Sequence, residues 1–169
     1  MAKNEVEKVT EEAVAKGGIL VKFYFDMQDK EKEKLQPLMA NLINDNLLKE
    51  PGVIYVYGSI EEPLEKNGVY TTSAVVTALF KNVIPLAGVA FRYAPAGIEV
   101  LKPEKEVHFK TNELQSMLVN LSQMSMDYSR FIFEKVLKGE DLEKMMKQMQ
   151  ARAELGKKFL EKKEEKPAP

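Results

Sequence analysis

Cysteine is absent from this chain of 169 residues, tryptophan is absent with it, and histidine occurs once, at His108. The missing thiols exclude disulfides, thiolate metal sites, thiol nucleophiles and Cys-x-x-Cys redox chemistry together. A single histidine excludes a multi-histidine zinc or iron site within one chain, and the His-Glu-x-x-His pattern is missing. Neither sign of charge is in excess: 25 Lys and Arg stand against 26 Asp and Glu, a formal net charge of −1. That balance supplies no global attraction to nucleic acid or acidic lipid, so any such binding needs a local patch. No apolar run reaches membrane-spanning length, and Met1 to Gly18 mixes Lys and Glu with isolated valines rather than forming a signal segment. The expectation is a cytoplasmic chain with no membrane association.

Phosphate-binding patterns are lacking as well. Gly156-Lys157 has Ala151 and Lys158 where a P-loop demands Gly and Ser or Thr. An acylphosphatase-like phosphate cradle needs an arginine after the first strand, and the segment after Phe25 is acidic instead. Asp26, Asp29, Glu61 and Glu62 fall at expected strand ends, with spacing no different from that of solvated loop carboxylates. His108 sits in a charged linker, Glu104 to Lys110, and reads as exposed. Lys157, Lys158, Lys162 and Lys163 are interleaved with glutamates, as in a solvated tail. No catalytic residue, metal ligand or cofactor follows from these patterns.

What is present is an order of elements. Asn4 to Lys16 carries Val6, Val9, Ala13 and Val14 at helical spacing, and Gly17-Gly18 ends it, giving a leader over 1–18 that is a short helix or partly disordered. Ile19 to Met27 alternates Val21, Phe23, Phe25 and Met27 against Lys22, Tyr24 and Asp26, as a half-buried strand does. A helix follows with Asp29 as N-cap and Leu35, Leu38, Met39, Leu42, Ile43 and Leu47 on one stripe, kinked or started late by Pro37. Val53 to Ile60 predicts a second strand with Ile54 and Val56 opposite Tyr55 and Tyr57. The polar connection Glu61 to Gly68 leads into a third strand from Val69 to about Phe80. Asn82 caps a helix with Pro85 in its first turn, and Ile98 to Leu101 is a short fourth strand. Two amphipathic helices close the chain. One opens at an Asn112/Gln115 capping box and carries Leu114, Met117, Leu118, Leu121, Met124, Tyr128, Phe131, Ile132 and Val136. The other opens at Asp141 and carries Leu142, Met145, Met146 and Met149.

This strand-helix-strand-strand-helix-strand order resembles the ferredoxin-like fold, and the length and polar central hairpin look similar to ACT-type regulatory domains. The resemblance covers about half the chain and implies an α+β sandwich over 19–103. An antiparallel helical hairpin over 104–160 and a disordered tail over 161–169 complete the expected organisation. Ferredoxin-like domains host enzymes, RNA binders, metal carriers and regulatory modules, so the fold does not select a function.

Two surfaces stand out. Alternation puts Lys22, Tyr24, Tyr55 and Tyr57 on the sheet face away from the helices, with Tyr70 as a further candidate. In RNA-recognition domains of this topology such a face stacks unpaired bases, yet Val69 to Val76 lacks the basic residue, glycine and paired aromatics of that pattern. Tyrosine is also enriched at protein interfaces, and that is the preferred reading. The second surface is the helical hairpin, where Met117, Leu121, Met124, Tyr128, Met145 and Met149 form a partner or self-association face. A helix from Asn112 to Lys138 runs roughly 40 Å, whereas four strands make a sheet about 20 Å wide. The overhanging apolar face calls for the last helix, a second subunit, or both. The sequence therefore reads as a non-enzymatic binding, regulatory or oligomerisation module without a cofactor, forming a homo-oligomer, dimer or higher, with a protein partner favoured over nucleic acid. The alternatives are an RNA- or ribosome-associated protein using the tyrosine face, and a small enzyme whose site forms between subunits.

Overall fold

The computed structural model describes residues 4–137 and 139–164. It is a mixed α+β structure whose chain divides into two compact units, residues 1–120 and 121–169. Helix α1 (Glu5–Ala15) leads into β1 (Ile19–Asp29), followed by α2 (Lys32–Asn41), β2 (Val53–Ile60), β3 (Leu64–Lys66), β4 (Val69–Phe80), α3 (Val83–Tyr93), β5 (Gly97–Lys102), α4 (Thr111–Val136) and α5 (Glu140–Glu164). The five strands form one antiparallel sheet in the order β2-β4-β1-β5, with β3 also pairing β4.

The period-2 pattern of β1 decides which face is buried. Ile19, Val21, Phe23 and Phe25 point to one side, opposite Ala74, Val76, Ala78 and Phe80 of β4, and all are buried. Leu35, Met39, Ile43 and Leu47 from the segment after β1, with Val89 of α3, complete this core. Phe23 meets Phe80 edge-on at 5.9 Å between centroids and Phe25 at 5.6 Å. Burial of each large side chain here contributes about 1.5–3 kcal/mol, so the two central strands dominate the unit's stability.

Several local details differ from the sequence expectation. Asp29 does not cap α2: its Oδ1 accepts the Glu31 N–H at 2.8 Å in a turn, and the helix begins at Lys32. Pro37 lies inside α2 without ending it, and the chain continues through a π-helical turn, Leu42–Asn46, and a 3-10 turn, Leu47–Lys49. That widened turn keeps both Ile43 and Leu47 on the core. The connection after β2 contains β3, unread in the sequence because it is three residues long and follows Pro63. Asn67 and Gly68, at φ 56° and 76°, make the two-residue turn that pairs it with β4. α4 begins at Thr111, so Asn112 lies inside its first turn rather than opening an Asn112/Gln115 box: its Oδ1 accepts the Glu113 N–H at 3.0 Å, and the Glu113 carboxylate accepts the Lys110 N–H at 3.0 Å.

The leader is helical over Glu5–Ala15 and is opened by an Asn4/Glu7 capping box. Gly17 takes φ 94°, and a Cβ on Gly18 would lie 2.7 Å from the Ala13 carbonyl oxygen and 2.9 Å from that of Phe80. These two positions need glycine so that α1 can fold back against the sheet. Residues 1–3 lie outside the described residues. So do 165–169 of the expected tail, while α5 runs to Glu164.

In the second unit, α5 faces α4 across a cavity of about 210 Å³ lined by Gln123, Met126, Asp127, Arg130, Met146, Met149 and Gln150. Gly139, at φ 62°, lies in the turn between them. Among the described residues, no helix is long and apolar enough to cross a membrane.

Candidate interaction surfaces

Cross-strand register places the four sequence-selected sheet residues on the face opposite the core. Lys22 and Tyr57 both sit beside Thr77, with Glu99 of β5 on the far side of Lys22, so Glu99, Lys22, Thr77 and Tyr57 form one row across the sheet. Gly97, Tyr24, Val75 and Ser59 form the next row, and Leu20, Leu79 and Tyr55 the one on the other side. Tyr70 does not join them: it pairs with Asp29 and Glu65 and belongs to the helix-covered face, because alternation along β4 sets it with Thr72 and Ala74. Ile54 also departs from expectation. A bulge between Val53 and Tyr55 removes it from the core side, where Val53, Val56 and Ile60 pack, and leaves it 37% exposed.

The face is two environments rather than one platform. Near its upper end Leu20, Thr77 and Leu79 are buried, and α1 lies over this end. Thr10 of α1 is buried, donates to the Val6 carbonyl at 2.6 Å and shares a 2.7 Å hydroxyl-hydroxyl hydrogen bond with Tyr55. The Tyr55 ring lies 5.8 Å from that of Tyr57, tilted by 30°. Lower on the face, Glu99 takes two polar groups of β1: Lys22 Nζ at 3.3 Å and the Tyr24 hydroxyl, which donates at 3.2 Å. The lysine beside the tyrosines is thereby paired with an acid, which weakens this face as an anion-binding platform.

Between α1 and β2 runs a groove of about 500 Å³, lined by Asn4, Glu5, Val6, Val9, Ile54, Tyr55, Val56 and Tyr57. Sequence reading missed it, since it joins residues some 45 positions apart whose only local signals are the thin apolar face of α1 and the bulge at Ile54.

Met149 lines the α4/α5 cavity, but its α4 partner there is Met126 rather than Met117, Leu121 or Met124, which are half-buried, as is Met145. Among the described residues of α4 none is buried. Leu118 is 56% exposed, Tyr128 60%, Phe131 57% and Val136 70%. The signal for Met126 is available in the sequence: with Phe133 it forms a second apolar line on α4, and both side chains are half-buried.

Elsewhere, Glu50 joins α3 to the turn before β2. Its carboxylate accepts from Arg92 Nε at 3.2 Å, Arg92 Nη2 at 2.6 Å and the Tyr93 hydroxyl at 2.6 Å. Burial raises the pKa of Tyr93 above its ordinary value of 10.0, and the hydrogen bond and charge of Glu50 add to this. His108 is highly exposed after β5, 3.3 Å from Glu106. Among the described residues no group of three or more His, Asp or Glu converges as a metal site would require.

These features define an α+β protein with an antiparallel sheet and a C-terminal helical region. The chain belongs to the MJ0538 family, whose model matches residues 20–151. No curated protein and no solved structure matches it.

Proposed function

We propose that this chain is a non-enzymatic interaction module, a ferredoxin-like sandwich of the regulatory, ACT-like kind over 19–103 with an antiparallel helical hairpin over 104–160, and that it self-associates through α4. For the sandwich, β1 and β2 each run antiparallel to β4, and β4 and β5 to β1, as in two interlocked split β-α-β units. For the hairpin, Met126 and Arg130 share a cavity with Met146 and Gln150, residues placed nearly symmetrically about the turn at Gly139.

The observation that carries the reading is the exposed stripe of α4. Leu114, Leu118, Leu121, Ser125, Tyr128 and Ile132 follow one another in alternating steps of four and three, the spacing of a helix-packing seam. Met117, Met124 and Phe131 widen it on one side, as in helices that face the core of a bundle. Exposures of 39–70% along Leu114, Leu118, Phe131, Ile132 and Val136 leave several hundred Å² of apolar surface per chain. That is the order of the ~800 Å² per partner of a standard interface. A second copy supplies the same stripe by symmetry.

Light scattering at micromolar concentration tests this. The expected result is a mass at least twice the 19.2 kDa of one chain, lost in Leu121→Glu with the helical circular-dichroism signal retained. A 19.2 kDa monomer for the unaltered protein overturns the reading. Salt-sensitive binding of single-stranded RNA, abolished by Tyr24→Ala and Tyr57→Ala, would instead favour a nucleic-acid role for the sheet face.

A further inference from the structure

We infer that the groove between α1 and β2 takes an extended peptide by strand addition, a site separate from the α4 stripe and independent of self-association. Among the described residues β2 is one edge of the sheet, paired with β4 alone. Glu61 N–H reaches the Ser73 carbonyl at 2.8 Å, which fixes the alternation: Tyr55, Tyr57 and Ser59 turn their backbone groups toward β4, and Val56, Gly58 and Ile60 turn theirs outward. Natural edges are blunted by charge, proline or bulges. Val53 to Ile60 contains no charged residue and no proline; its bulge at Ile54 is confined to the start of the strand, and charge and proline come only at Glu61-Glu62-Pro63.

Side-chain specificity has a place beside this backbone template. Val6 and Val9 of α1 are 44% and 38% exposed, and Ile54 and Tyr57 of β2 are 37% and 56% exposed, all four lining the groove. A helix set beside an open edge strand is the arrangement by which peptide-binding domains read alternate side chains of an added strand. The floor is held in place by the Thr10–Tyr55 hydrogen bond at 2.7 Å, so the groove does not need to be assembled on binding. Among the lining residues Glu5 carries the one charge. The occupant is therefore a segment of about five residues, set by ~3.4 Å per residue along the edge, with alternating β-branched or aromatic side chains and a Lys or Arg placed against Glu5.

The test uses the full-length protein, labelled with nitrogen-15, and fluorescent synthetic peptides of about six residues with alternating Val and Thr, sized to the edge. One version carries Lys at its end, one carries Glu, and one carries Lys with alternate backbone nitrogens methylated so that they cannot donate. The expected result is saturable binding of the Lys peptide with slowed amide exchange at Val56, Gly58 and Ile60, and no binding of the methylated peptide. Val9→Glu, at an exposed helix position, should weaken binding by about tenfold or more. Glu5→Lys should reverse the preference between the Lys and Glu peptides. Absence of saturable binding, equal binding of the methylated peptide, or protection confined to other residues overturns the proposal. So does concentration-dependent protection of Val56, Gly58 and Ile60 without peptide, which would assign the edge to a second copy. Loss of peptide binding alone leaves the mass measured by light scattering, and with it the α4 reading, untouched; self-association through the edge is told apart from self-association through α4 because Leu121→Glu would then leave the mass unchanged.

Discussion

β1 and α4 carry comparable apolar patterns and meet opposite fates. In β1 the alternation of Ile19, Val21, Phe23 and Phe25 is matched within the chain by β4 and the helices, and every one of these side chains is buried. In α4 the stripe from Leu114 to Val136 is equally regular, yet among its described residues none is buried. A pattern specifies a face, not what covers it. Where the cover lies in the same chain, pattern and burial agree; the α4 stripe, left unburied by its own chain, is the face proposed above for a second copy.

Substitutions can break this contrast, beginning with the largest effect. Phe23→Ala removes a fully buried ring in contact with Phe25 and Phe80. It should cost about 3–5 kcal/mol in urea unfolding, whereas Phe131→Ala on the exposed stripe should change the stability of isolated chains by less than about 1 kcal/mol. Equal losses at the two sites would erase the distinction. Leu121→Glu should weaken self-association by roughly 3 kcal/mol, about a hundredfold in dissociation constant, because it sets an unpaired charge in an apolar seam. Sedimentation over a range of concentrations measures this. Gly18→Ala should destabilise the first unit by about 1–3 kcal/mol by forcing a Cβ into two carbonyl oxygens, and its melting temperature should fall while assembly persists.

The smallest effect concerns the Glu50–Arg92–Tyr93 cluster. A tyrosine whose pKa is raised in the folded state keeps its proton where the unfolded chain has lost it. Its stabilising contribution is full below pH 10.0 and falls as pH rises through the folded value. Unfolding measured between pH 9 and 11, on the order of one unit either side of the ordinary tyrosine value, should show a steeper loss in the unaltered protein than in Tyr93→Phe. Identical slopes would remove Tyr93 from the account of alkaline stability.

Much of the first unit was legible in the sequence. The limits of β2 and β4 coincide with their apolar runs, and Asn82 caps α3 by accepting the Ile84 N–H at 3.0 Å. Lys22, Tyr24, Tyr55 and Tyr57 share one face because strand alternation is strict. What escaped was non-local or irregular. The bulge that turns Ile54 out depends on pairing with β4, and the Thr10–Tyr55 bond depends on the path of the chain through Gly17 and Gly18. On α4 the main stripe is legible, but the line of Met126 and Phe133 is not, since two apolar faces on one helix blur a single periodicity. Tyr70 was set on the wrong face because its strand has polar residues on both sides near that end.

Whether a second copy of the chain covers α4 can be read from amide hydrogen exchange at concentrations from well below to well above the association range. Mass action requires protection along α4 to rise with concentration while that of β1 and β4 stays fixed by the chain's own core. Helix and sheet should therefore diverge as concentration rises. Protection of α4 independent of concentration would contradict coverage by a second copy.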